Sequence, residues 1–161
     1  LSSTDLLTQL NNRNEFIKRA TQEINRSRRY DFPISVLMID VDDFKSINDQ
    51  FGHNEGDKVL RTAGYVLKSN LRSTDVSARW GGEEFVALLP HGNLDEAHVA
   101  GQKLCEAMAA SKATGFRQVT ISVGAAQMRP EDSLDSLIGR ADEALYRAKS
   151  GGKNRVELEI D

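Results

Sequence analysis

Val76-Ser77-Ala78-Arg79-Trp80-Gly81-Gly82-Glu83-Glu84-Phe85-Val86-Ala87-Leu88-Leu89 is the stretch on which the reading of this chain turns. Two apolar, strand-like runs, 76–80 and 85–89, flank a Gly-Gly pair. That pattern predicts a tight β-hairpin with a type I′ turn, whose two central residues need positive φ. A hairpin makes the sheet antiparallel at this point and places two carboxylates, Glu83 and Glu84, at its tip. Glycine beside them leaves room for a close approach to the backbone. Acids next to a turn are commonly just solvated. Two of them next to two glycines point instead to a cation and its phosphate ligand, provided that a second acidic cluster joins them.

That second cluster lies upstream. Ile34-Ser35-Val36-Leu37-Met38-Ile39 is the most apolar run and reads as a central strand covered by helices. It ends in Asp40-Val41-Asp42-Asp43. Three carboxylates this close cannot all be buried and unpaired without a large cost. Asp42 or Asp43 suits the N-cap of a helix starting at Phe44. Asp40 belongs to the strand end, where a neighbouring helix N-terminus favours phosphate and its cation.

Outward from these two clusters the chain alternates helical and extended patterns. Asn12 reads as the N-cap of an amphipathic helix with Phe16, Ile17, Ala20 and Ile24 inward. A short helix carries Phe44, Ile47 and Phe51 inward, with Lys45 and Asn48 on its flank. Gly52 to Asp57 turns the chain into a long helix with Val59, Leu60, Ala63, Val66 and Leu67 at helical spacing. After the hairpin, a helix shows Leu94, Ala97, Gly101, Leu104, Cys105 and Met108, and a strand runs from Val119 to Ala125. A last helix presents Leu134, Leu137, Ile138, Ala141, Leu145 and Ala148, and a terminal strand spans Arg155 to Ile160. This order does not alternate strictly. With an obligatory hairpin it predicts an α+β class, a mixed sheet with helices packed on it.

Composition bounds the function. The chain has 161 residues, 39% hydrophobic and 28% charged, enough for one domain with a core. A net charge of −3 argues against a nucleic-acid polymer as partner but not against a mononucleotide held by local cations. One cysteine, Cys105, excludes an internal disulfide and fits a reducing, cytoplasmic setting. The longest aliphatic run is too short to cross a bilayer, so no membrane contact is expected of this domain. Opening on Leu1 rather than Met, the chain reads as a single domain, 1–161, cut from a longer protein.

Taken together, the motifs resemble the GGDEF-type diguanylate cyclases, in the variant with Glu at the third position. The pentapeptide 81–85 carries this resemblance, as do Asp40, Asp42, Phe44-Lys45, Asn48-Asp49, Gly52-His53 and Gly56-Asp57. The opening Asp5, Leu7, Thr8, Leu10, Asn12 and Arg13 also match, with Gln9 where the family usually has Gly. At the far end Lys149 and Asn154 match, while Lys153 replaces the usual Arg, turning a bidentate fork into a point charge.

The resemblance implies a ferredoxin-like core of the kind shared by nucleotide cyclases and polymerase palms, with a mostly antiparallel central sheet. It implies condensation of two GTP molecules into cyclic di-GMP with release of pyrophosphate, across a homodimer. Two Mg²⁺ (or Mn²⁺) ions per active site supply charge and positioning for such a reaction. On this reading Asp40, the Val41 carbonyl, Glu83 and Glu84 are the metal ligands, and Glu83, Glu84 and Lys45 are the catalytic set. Phe44, Lys45, Asn48, Asp57, Leu60, Gly82, Lys149 and Lys153 bind substrate, Asn48 and Asp57 reading the guanine edge. His53 stands evenly between assisting the base and a structural turn. Arg72-Ser73-Thr74-Asp75 has the spacing of the family's inhibitory product site, with Lys103 a further cation by position; the alternative is a solvated helix-end ion pair. Two rivals remain: a module that binds GTP or cyclic di-GMP without turnover, and a cyclase of similar fold acting on another nucleotide.

Overall fold

The structure is a computed structural model, and it describes residues 2–161. Ten elements follow in order: α1 (Arg13–Tyr30), β1 (Ile34–Val41), α2 (Phe44–Phe51), α3 (His53–Asn70), β2 (Val76–Arg79), β3 (Glu84–Pro90), α4 (Leu94–Ala110), β4 (Ile121–Gln127), α5 (Leu134–Ser150) and β5 (Val156–Leu158). The five strands form one sheet in the order β2-β3-β1-β4-β5. β1 is antiparallel to both β3 and β4, β2 is antiparallel to β3, and only β4–β5 is parallel. The expected α+β class with a mostly antiparallel sheet is what the chain adopts. The first four strands and their connecting helices make the split β-α-β arrangement of ferredoxin-like folds.

β1 is buried along its whole length because helices cover both faces. Its side chains alternate between them. Leu37, Ile39 and Val41 enter the core shared with α2, α3 and α4, whereas Ile34, Val36 and Met38 enter the core shared with α1 and α5. Asp40 therefore belongs to the α5 face. A glycine sets how close α5 comes: a Cβ at Gly124 on β4 would collide with the Ala141 carbonyl and the Leu145 amide. The absence of that one methyl lets the α5 backbone lie directly on the sheet.

Several local expectations change. The hairpin turn is not type I′: neither Gly81 nor Gly82 has positive φ. Trp80 to Glu83 form a wider loop, closed by Trp80 and Gly81 N–H groups donating to the Glu84 carbonyl at 2.8 and 3.2 Å. Gly81 is small because a Cβ there would press on the Glu84 carboxylate at 3.1 Å, and Gly82 faces open space. Asn12 caps α1 as expected, accepting from the Glu15 N–H, but Ile17 is 39% exposed and lies off the buried face. Gln9 takes φ 63°, so the left-handed turn for which glycine is the usual residue survives without it. β4 starts and ends two residues later than expected. The terminal strand is only three residues, extended by Val123 N–H to the Arg155 carbonyl and Glu159 N–H to the Ala125 carbonyl.

Candidate active site

The C-terminal end of β1 and the loop between β2 and β3 meet, as the two acidic clusters required. Asp40 pairs with Glu84 across β1–β3, and the Val41 N–H donates to the Glu83 carbonyl at 3.2 Å. A cleft of about 230 Å³ opens there, lined by Asp40 to Lys45, Glu83, Lys149 and Lys153. The expected metal and triphosphate residues are thus neighbours, although they are far apart in sequence.

Asp40 is 4% exposed, and its Oδ2 accepts from Lys149 Nζ at 2.6 Å. Burial lifts its pKa above the usual carboxylate range, Lys149 offsets part of that, and Asp42 and Asp142 add to the rise. Glu83 is raised as well, first by burial and then by Asp40 and Glu84. Glu84 is raised by burial, Asp40 and Asp142. Asp142, also raised by burial, is a member of this group that the sequence reading missed. It is seven residues before Lys149 on α5, two helical turns away on the same face, which is the signal that would have found it. Four carboxyls thus share the ammonium of Lys149, with Arg13 adding to Glu84 alone, and each holds its proton more tightly than it would in water.

Asp42 has a different task. It is buried, and its carboxylate accepts from Thr120 Oγ1 at 2.7 Å, Ser122 Oγ at 2.6 Å and the Asn154 N–H at 3.0 Å. It caps no helix; it ties β1, β4 and the segment after α5 together, which holds Lys149 and Lys153 against the cleft. Asp43 occupies the N-cap position of α2 at φ 56° without any side-chain cap bond. Its Oδ1 instead accepts from Lys153 Nζ at 2.5 Å, so neither lysine is free in this state. Lys45 is exposed at the cleft wall.

The loop is held from behind. Arg79 Nη2 donates to the Gly82 carbonyl at 2.8 Å and its Nε to the carbonyls of Gly81 and Gly82 at 3.3 and 3.2 Å. Its Nη1 reaches Asp5 Oδ1 at 3.3 Å, and Thr8 donates to the other Asp5 oxygen through both N–H and hydroxyl. Burial tends to raise the Asp5 pKa, but Thr8 and Arg79 outweigh it and hold it low. The opening motif thereby braces the carbonyls on either side of Gly82. Arg13 stacks 3.9 Å over Trp80, fixing the strand end.

On the other side of β1, Asn48 Oδ1 is buried without a hydrogen-bond partner. It lies against Gly56, where a Cβ would collide with it, one residue before Asp57. Leu60 is buried, Asp57 half-buried and His53 exposed at the start of α3. A buried acceptor without a donor is costly unless a ligand supplies one.

Arg72 and Asp75 sit before β2, at the opposite end of that strand from the loop. Asp75 accepts from the Arg72 N–H at 2.8 Å and from Nη2 at 3.4 Å, and Nη2 also donates to the Pro90 carbonyl at 3.1 Å. Lys103 joins them in lining a groove of about 420 Å³ together with Asp95, Glu96 and Val99. Cys105 is buried, its thiol pushed up to about 12 by burial, and it takes no part in either site.

Comparison with known proteins follows the same residues. The family model described as diguanylate cyclase, GGDEF domain, matches residues 2–155, and the chain belongs to that family. It is 42% identical to diguanylate cyclase DgcM of Escherichia coli K12 over 154 residues, covering 94% of this chain and 37% of that protein. It is 41% identical to diguanylate cyclase DgcP of Pseudomonas aeruginosa PAO1 over 162 residues, covering 96% of this chain and 24% of that protein. The chain thus spans about a third or less of the length of these curated relatives. The GGDEF domain of DgcB from Caulobacter crescentus, solved in complex with c-di-GMP, superposes with a TM-score of 0.93 at 30% identity, covering 98% of this chain and 96% of that one. The active GGEEF domain of a diguanylate cyclase from Vibrio cholerae superposes at 0.91 and 30% identity, covering 95% and 99%.

Among the described residues, no three His, Cys, Asp or Glu side chains form a ready-made metal cage. The donor set nevertheless suits Mg²⁺. All its ligands are oxygens, Asp40 already holds a cation, and Mg²⁺ is commonly bound by one or two carboxylates plus substrate phosphates.

Proposed function

We propose that this domain condenses two molecules of GTP into cyclic di-GMP, releasing two pyrophosphates. The observation that carries the reading is the excess of carboxyl groups at Asp40, Glu83, Glu84 and Asp142, answered by the single ammonium of Lys149. Divalent metal, two ions per site as Mg²⁺ or Mn²⁺, supplies charge neutralisation at the phosphates when bound. Asp40, Glu83, Glu84 and the Val41 carbonyl would hold it. Each substrate's 3′-hydroxyl attacks the other's α-phosphorus, the bond to pyrophosphate breaks, and the hydroxyl proton passes to a carboxylate at the loop, the role we assign to Glu83. Lys45, Lys149 and Lys153 hold the triphosphate, and the N-terminus of α2 at Phe44, which lines the cleft, adds backbone donors. Asn48 and Asp57 read guanine, with Leu60 and Gly82 shaping the pocket. The unpartnered Asn48 oxygen is the observation that favours guanine, whose ring carries N–H donors. His53, exposed at the α3 start, has no assigned partner and fits the turn role better.

One protomer carries one such set, so two must face each other with two-fold symmetry to form both phosphodiester bonds. Product returning to Arg72, Asp75 and Lys103 inhibits by holding protomers apart. Arg suits both the phosphate and the guanine of that ligand. The rival, binding without turnover, is disfavoured because the loop retains both acids. Incubation of purified protein with GTP and Mg²⁺, with product identified by mass, tests the reading. Cyclic di-GMP and pyrophosphate are expected, and GTP bound but unchanged at high protein concentration overturns it.

A further inference from the structure

A fourth cation stands at the outer edge of the cleft, from an element that the functional reading does not use. Arg117 lies in the α4–β4 connection, 34% exposed, with Nη2 3.7 Å from Asp43 Oδ2. Asp43 Oδ1 is already engaged by Lys153 at 2.5 Å. One carboxylate is therefore shared by two cations, and the rim keeps a net positive charge. Deeper in, the balance reverses: Asp40, Glu83, Glu84 and Asp142 face Lys149, with Arg13 acting on Glu84 alone. Charge thus changes sign from the depth of the cleft to its mouth. An elongated polyanion that binds metal at one end and extends outward at the other fits such a gradient.

The neighbour of Arg117 biases where it sits. Phe116 is 63% exposed, yet its ring stacks on Phe51 of α2 with centroids 4.7 Å apart and planes 8° from parallel. This contact fastens the connection to the same short helix that begins at the cleft. An exposed aromatic pair of this kind biases a loop without locking it. The three cations lining the cleft itself, Lys45, Lys149 and Lys153, are all ammonium groups. A guanidinium differs from them in kind, since its fork matches two phosphate oxygens at once.

We infer that Arg117 is a further phosphate-binding residue of this cleft. It waits on Asp43 beside Lys153 and takes the terminal phosphates of the bound triphosphate, with the Phe116–Phe51 stack setting its reach. The inference rests on the GTP reading above and goes further by naming the residue that holds the outer phosphates.

The test compares two ligands in the presence of Mg²⁺ by calorimetry: a GTP analogue with a methylene between the α and β phosphorus atoms, and GMP. Arg117→Ala should weaken the triphosphate analogue about tenfold and leave GMP unchanged, the loss expected for one charge-assisted contact. Arg117→Lys should fall between the two, and Phe116→Ala should weaken the analogue by a smaller factor in the same direction. In steady state, KM for GTP should rise about tenfold for Arg117→Ala with kcat within about twofold. Equal affinity of wild type and Arg117→Ala for the analogue overturns the inference, as does an equal loss for GMP. Wild-type protein that takes up neither ligand instead overturns the GTP reading itself, so the two failures are told apart.

Discussion

Two clusters of charge lie at opposite ends of the same sheet, and they are built on opposite terms. At the end where β4 leaves the sheet, Arg140 joins Asp132 and Glu159, and Arg129 reaches Glu159 at 2.9 Å and Asp161 at 2.8 Å. Here every buried carboxylate has a guanidinium. Burial tends to raise Asp132, but the Arg129 N–H, the Ser136 hydroxyl and Arg140 outweigh it and hold its pKa low. At the other end Asp40, Glu83, Glu84 and Asp142 are all raised, with Lys149 among them and Arg13 acting on Glu84 alone. A satisfied cluster stabilises the fold and asks for nothing further. An unsatisfied one costs stability and has a use only if something else brings positive charge.

That contrast can be broken by substitution at either end. The largest effect is expected at the loop. Glu83→Gln should reduce cyclic di-GMP formation by more than about a hundredfold, since even groups that merely orient metal ligands cost roughly 10–100-fold. Thermal denaturation should show the variant at least as stable as wild type. The satisfied end should behave in the reverse way. Arg140→Ala leaves Asp132 without its guanidinium and Glu159 with Arg129 alone, and should cost on the order of 3 kcal/mol in a denaturant titration, with kcat retained in the protein that remains folded.

A smaller effect is expected from the brace behind the loop. Arg79→Ala frees the carbonyls of Gly81 and Gly82 and should lower kcat about tenfold, because a small misplacement at a reacting centre is costly. Arg79→Lys should not restore it, as a single ammonium nitrogen lacks the spread of Nε, Nη1 and Nη2, which reach the two carbonyls and Asp5 from separate positions. The smallest effect is a shift of stability with pH. The folded-state pKa of Asp142 is raised, so the native protein binds that proton more tightly than the unfolded chain does. Stability from this group is full below the ordinary carboxylate range and is lost as pH rises through the raised value. Asp142→Asn should therefore melt higher than wild type at neutral pH, and the difference should vanish as pH falls below about 4. A difference that grows on acidification would contradict the raised pKa.

Much of this was legible in the chain. The apolar run ending at Asp40 and the Gly-Gly stretch were enough to require an antiparallel core, and helical spacing placed α3, α4 and α5. What stayed hidden was of two kinds. Turn geometry does not follow from glycine alone: Gly81 serves space rather than positive φ, Gly82 needs neither, and Gln9 and Asp43 take left-handed backbone without being glycine. Partnerships across long separations were the other kind. Nothing in Asp40-Val41-Asp42-Asp43 says that Asp42 belongs to Thr120 and Ser122, Asp43 to Lys153, and Asp40 to Lys149. These depend on how β4 and α5 register against β1, which a local pattern does not encode. Asp142 shares a helix face with Lys149, but that spacing gains meaning only once α5 is laid against the end of β1; alone on a helix it reads as a solvated acid.

The central claim is that the unsatisfied carboxyls hold a divalent cation together with the nucleotide. Mn²⁺ binding followed by electron paramagnetic resonance, with the methylene-bridged GTP analogue present, tests it most directly. The account predicts uptake that weakens as pH falls through the raised carboxylate range, is lost in Glu83→Gln and persists in Arg140→Ala. Uptake that is absent from wild type, or indifferent to Glu83→Gln, would contradict it.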